Sequence, residues 1–143
     1  MSEVAIFDAI NGYLETNIGT IPGALLANVA FLGKTYVPEA ETPFISLSMP
    51  AIGGKMLSTG TLGVYEWRGI FQLNCYWPIG GGLEEVLQQR DAARGLFPVG
   101  LSIATADSHT IRFFAPSVRP LLQGGAWITG PVQCPWFLHE VTA

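Results

Sequence analysis

The chain has 143 residues, of which 49% are hydrophobic and only 13% charged, with a formal net charge of -4. That length suits one domain of roughly 100 to 150 residues and leaves no room for two independent cores, so residues 1–143 are read as a single domain. Seven scattered basic residues exclude the clustered cationic footprint of a nucleic-acid binder. A charge content well below the roughly 25% of ordinary globular proteins predicts that other subunits or partners cover part of the surface.

From Glu3 to Ile18, Ile6, Phe7, Ile10, Tyr13, Leu14 and Ile18 recur at helical spacing, with Ser2 as N-cap and Glu3 and Asp8 toward the positive end. Gly19 and Pro22 end that helix. MSEVAIFDA lacks the basic start and apolar centre of a signal peptide. The apolar run Ile21 to Leu32 is interrupted by Pro22, Gly23 and Asn28 and is too short for a bilayer. The expectation is a soluble protein made and used in the cytoplasm, or in an assembly built there, with no membrane partner.

Asn28 to Leu32 is a short strand candidate, followed by a loop with Pro38, Glu39, Glu41 and Pro43. Phe44 to Met49 then alternates Ile45, Leu47 and Met49 with Ser46 and Ser48, a half-buried strand. Pro50 to Gly63 is small and glycine-rich and reads as a long loop joining two strands of a hairpin. Its Ile52, Met56, Leu57 and Leu62 are costly to solvate together, so it is expected to order as an arm against a neighbour.

Tyr65 to Gly82, YEWRGIFQLNCYWPIGGG, is the strongest signal in the chain. Tyr65, Trp67, Phe71, Leu73, Cys75 and Trp77 occupy one face of a long strand and Glu66, Arg68, Gln72 and Asn74 the other. Leu83 to Phe97 reads as a second helix. Its Glu84 and Glu85 lie in the first turn and Arg90 and Arg94 near the end, Val86, Leu87, Ala93, Leu96 and Phe97 form its apolar stripe, and Pro98 and Gly100 stop it. Strands are expected at Leu101 to Ala104 and Ile111 to Ala115, about a turn at Asp107 to Thr110. A last strand spans Ala126 to Leu138. Pro131 and Pro135 predict that this strand lies at an edge or is bulged. The order of elements gives an α+β fold, a mainly antiparallel sheet with two helices packed on one face, plus a long β-hairpin or loop arm.

Chemistry finds little support in these residues. Gly80-Gly81-Gly82 before a helix resembles a phosphate cradle, but no Lys-Ser or Lys-Thr follows, Glu85 stands where GxGxxG needs its last glycine, and Glu84 and Glu85 repel phosphate. Asp107, Ser108 and His109 are residue types of a hydrolytic triad, yet contiguous residues rarely converge on one reacting atom, so they are read as a turn with Asp107 making an Asx-turn. The pairs Glu39/Glu41 and Glu84/Glu85 are explained by solvation and the helix dipole. Cys75 and Cys134 are read as buried thiols, and no spacing suits zinc. No catalytic, cofactor or metal residue is assigned. Trp67, Trp77 and Trp136 fall on apolar faces and are read as core, whereas Trp127 is out of phase with its strand and points outward as an interface anchor.

The runs GIFQLNCYWPIGGG (Gly69 to Gly82), RGLFPVGLSI (Arg94 to Ile103), IRFFAPSV (Ile111 to Val118) and GAWITGPVQCPWF (Gly125 to Phe137) resemble the small phage tail terminator-like proteins. The family pattern is a GxFQVxxxxPxGxG strand and turn, a helix, an FPxG stop, a strand with a proline near its end, and a final strand of PVxxxW-like character. The resemblance covers the chain from about Pro43 onward, with a compatible first helix. Pro135 departs from it and puts the end of the sheet in question.

The resemblance implies a structural virion protein of a long-tailed phage and no enzyme. It would be a homo-oligomeric ring, commonly hexameric, that caps the tail tube, stops its polymerisation and offers a docking surface to the head-side connector, while DNA passes through the channel without specific binding. The interface residues expected are Ile52, Lys55, Met56, Leu57 and Leu62 of the arm, the polar strand face Glu66, Arg68, Gln72 and Asn74, and Trp127. The competing readings are another neck or tail-tube subunit and, from a different class, a small hydrolase or ligand-binding domain using the glycine turn and the DSH segment.

Overall fold

The computed structural model describes residues 3–18, 29–30, 37–38, 42–58, 63–80 and 83–142. Ser2, Gly19, Pro22, Glu39, Glu41, Leu62, Gly81 and Gly82, and residues 28, 31 and 32 of the first strand candidate, lie outside the described residues.

Helix α1 spans Glu3–Asn17 and buries Ile6, Ile10 and Leu14, the i, i+4, i+8 stripe its sequence carries. β1 is Val29–Ala30. β2 is Phe44–Ser58 and β3 is Gly63–Pro78, so residues 50–58, expected as loop, are strand. Pairing with β3 overrides the weak strand propensity of Pro50, Gly53 and Gly54. The cost is two register shifts, between Ser48 and Ala51 and between Met56 and Ser58, and Pro50 falls in the first, where its missing N–H breaks no ladder bond.

β3 ends at Pro78, short of the glycines, and α2 follows as Leu83–Leu96. Phe97 donates its N–H to Arg94 O at the helix stop, and Gly100, at φ +83°, donates to Phe113 O. β4 (Ser102–Ala104) and β5 (Thr110–Phe113) form a hairpin, with β5 stopping before Phe114. β6 (Ser117–Val118) and β7 (Leu122–Gly124) have no counterpart in the sequence reading. β8 runs Trp127–Thr142, beyond the expected Leu138.

The sheet order is β1-β2-β3-β8-β5-β4, with β6 and β7 also against β8. Only β1 on β2 is parallel among the described pairs. β8 is therefore central, not an edge. Pro131 O accepts from Arg119 N and Pro135 O from Phe114 N, so both ring nitrogens face the side occupied by the broken strands β5, β6 and β7. There the missing donors coincide with gaps in the neighbour, and the β3 side stays unbroken from Gly63↔Thr142 to Pro78↔Trp127.

Both helices cover one face. Phe71, Leu73 and Cys75 of β3, Ile45 and Leu47 of β2 and Val132, Cys134, Trp136 and Leu138 of β8 form one core with the buried residues of α1 and with Ala93, Leu96 and Phe97. Phe97 joins the layers, its ring 5.3 Å from Tyr13, 5.5 Å from Phe71 and 5.2 Å from Phe113. On α2 the stripe differs from expectation: Leu87 is exposed and Gln89 is buried in its stead.

Candidate assembly surfaces

Alternation along β2, β3 and β8 gives the sheet a second face that bears no helix among the described residues. Its centre is a ladder of amides, in which Gln133 Nε2 donates to Gln72 Oε1 at 3.0 Å and Gln72 Nε2 to Asn74 Oδ1 at 2.7 Å. Toward the hairpin end, Glu66 accepts from Arg68 Nε and lies 2.9 Å from His139 Nε2, with Lys55 opposite it on β2. Those contacts leave Glu66 only 5% exposed although it sits on the outer face. Arg68 first, then His139, holds the Glu66 carboxyl below its ordinary range.

Arg68 also lies 5.8 Å over the Phe114 ring, which packs against Phe137 at 4.9 Å. At the opposite end, Phe44 stacks on Tyr76 at 4.4 Å and meets Trp127 edge-on at 5.1 Å. Trp127 thus stands on the outer face, across from Pro78, and is half-buried within an aromatic cluster. An open depression of about 660 Å³ lies at the β2 bulge between Met49, Pro50, Ile70 and Phe114, with Arg68 at its rim.

The arm adds apolar surface. Met56 is 52% and Leu57 46% exposed, Lys55 is exposed and Ile52 partly buried against the core. The face thus brings together Lys55, Glu66, Arg68, Gln72 and Asn74 in one continuous patch and leaves Trp127 at its far end. His139, Gln133, Phe114, Phe137, Phe44 and Tyr76 also belong to it. The odd positions of Ala126 to Leu138 carried that signal for Gln133 and Phe137, while Phe114 is placed by the β5 exit, which has no periodic signature.

The other candidate chemistry lies at the margin of this face, where Ser108, His109 and Arg112 line a depression of about 430 Å³ with Phe137 and His139. Thr105 Oγ1 donates to Asp107 Oδ1 at 2.5 Å, His109 Nδ1 lies 3.1 Å from the same oxygen, and His109 N donates to Thr105 Oγ1. Asp107 therefore ties the β4–β5 turn through side chains, not through the expected Asx-turn, and Thr105 and His109 hold its carboxyl low. Ser108, at φ +68°, occupies the left-handed corner of the turn. Trp77 Nε1 donates to Glu85 Oε2 at 2.8 Å, so this half-buried tryptophan anchors the start of α2. Cys75 and Cys134 are free and buried, both pushed up to about 12 by desolvation. Cys75 is opposite Gly130 and Cys134 opposite Phe71, a register that keeps the two sulfurs apart. Among the described residues no cluster of three or more His, Cys, Asp or Glu could hold a metal, and no helix is long and apolar enough to cross a membrane.

An open, mainly antiparallel sheet with helices on one face and a broad amide-and-aromatic surface on the other defines an α+β fold dominated by its sheet. The sequence profile of the phage tail terminator protein family matches residues 5–136, and the chain belongs to that family. It is accordingly a structural component of the phage tail, and its family points to a structural and not an enzymatic role. A solved structure without a descriptive name superimposes over 96% of this chain and 96% of its own, at a TM-score of 0.71 and 23% identity, a likeness of fold. No curated protein matches the chain.

Proposed function

We propose that this protein is the tail terminator of a long-tailed phage, six copies of which close into a ring on the finished tail tube. The ring blocks further addition of tube subunits and presents its free side to the head-side connector. DNA passes through its channel without specific contacts. The family match over residues 5–136 carries this reading. The exposed Met56 and Leu57 on an otherwise weakly charged chain support it, because a closed head-to-tail ring needs two unlike adhesive surfaces per subunit.

Two measurements test it. Size exclusion with light scattering should give one discrete oligomer, whereas a tube subunit would polymerise into long tubes. Infection by a phage lacking this gene should yield tubes of uncontrolled length without heads attached. Headless tails of normal length in that lysate would overturn the capping role.

A further inference from the structure

Besides the outer face, the molecule has a second concave surface, on the other side of the sheet and at its far edge. A groove of about 430 Å³ separates α1 from β4 and is lined by Asp8, Ala9, Gly12, Tyr13, Ser102 and Ala104. Around the Cβ position of Gly12 there is no heavy atom within 4 Å, so the α1 wall is open there. β4 ends the strand order, and its Leu101 and Thr105 neighbours take the bonds to β5 (Phe113 N to Leu101 O, Thr105 N to His109 O). Antiparallel alternation therefore turns the backbone N–H and C=O groups of Ser102 and Ala104 outward, into the groove.

Asp8 is the charged residue that lines the groove, and it belongs to an acidic helix: α1 also contains Glu3 and Glu15, outside the groove lining, and no basic residue. Neither Asp8 nor Glu15 has an ion pair among the described residues. A strand edge with no further strand beside it among the described residues, next to Asp8 on an acidic helix, suits an extended, weakly charged segment that carries a cation.

The chain itself supplies such a segment. Lys55 is the sole charged residue of β2, and Met56 and Leu57 beside it are 52% and 46% exposed. β2 cannot reach the groove of its own subunit, since β3, β8 and β5 lie between β2 and β4, about 19 Å at ~4.8 Å per strand. We propose that the groove between α1 and β4 of one subunit receives the β2 arm of the next copy, with Lys55 set against Asp8. This rests on the ring reading. The contact is heterologous, so the same pairing repeats around the ring and closes it.

The test is disulfide trapping in the full-length protein carrying Asp8→Cys and Lys55→Cys together. Both sites are exposed, and the native Cys75 and Cys134 are buried with thiols pushed up to about 12, so they do not compete. Mild oxidation of the assembled oligomer should give a ladder of covalent multimers on a non-reducing gel, absent from either single variant. As a second arm, Asp8→Lys should lower the ring fraction at least about tenfold through like-charge contact, and adding Lys55→Glu should restore it. A discrete oligomer with no ladder and no response to charge reversal overturns this contact and leaves the ring reading standing. A wild-type protein that gives no discrete oligomer overturns the ring reading itself.

Discussion

Gln89 occupies the buried side of α2, fully enclosed, and neither of its amide atoms has a hydrogen-bond partner. An unmet buried amide costs about 1–3 kcal/mol, so Gln89→Met, which keeps the length and removes the polar atoms, should stabilise the protein by about that much. Urea denaturation reads this as a higher midpoint at unchanged slope; a lower midpoint would show that Gln89 is satisfied in solution. Glu66 behaves oppositely. Its carboxyl is held low by Arg68 and then His139, so folding is favoured in full above the unfolded value of roughly 4.3 and that contribution disappears as pH falls through the folded value. Glu66→Gln should therefore be less stable than wild type at pH 7, and the two melting curves should converge as the pH is taken down to 3. A gap that stays constant between pH 7 and pH 3 would show that the charge is not what Arg68 and His139 recognise.

At the level of elements, the two prolines of β8 are tolerated because of which side they face. Val132, between them, has the opposite alternation and pairs with Leu73 in the unbroken β3 ladder. Val132→Pro orphans a buried carbonyl of β3, about 1–3 kcal/mol, and also disturbs a fully buried position, whereas Pro131→Ala merely adds a donor toward the gap at Arg119. The first variant should fail to fold or melt far below wild type, the second should stay within about 1 kcal/mol, and equal effects in thermal melts would refute the sidedness argument. The composition of β8 showed the prolines but not their direction, because a neighbour broken into β5, β6 and β7 is a tertiary fact. Phe71, Leu73 and Cys75 were readable since strict alternation over a long run admits one register. Residues 50–58 were not: Pro50, Gly53 and Gly54 carry loop propensities, and only the presence of β3 alongside makes them strand. The groove at α1 and β4 joins residues far apart in the chain, and no local pattern marks it.

For the whole molecule, the uncovered sheet face decides what a ring built from it could do. At its centre Glu66 pairs with Arg68, and Gln72, Asn74 and Gln133 bond to one another, so this strip hydrates well with little net charge, while Lys55 and Arg112 add positive charge on the flanking strands β2 and β5. Such a surface suits a channel wall, where each uncompensated cation would hold a phosphate and release counterions, making passage dependent on salt. Glu66 and Arg68 also explain how an arginine can stand on this face without acting as a phosphate anchor. In the proposed ring of six, Gln72→Lys with Asn74→Lys would add two cations per subunit at positions half exposed to solvent. If the face lines the channel, the variant should still assemble, since neither side chain then meets another subunit; loss of the ring would return Gln72 and Asn74 to a subunit interface. Filter binding with duplex DNA should then detect retention by the variant that weakens steeply as salt rises from about 50 to 200 mM, with the wild-type ring retaining none. Variant rings that form normally and still ignore DNA at low salt would place this face against a protein neighbour, away from the channel.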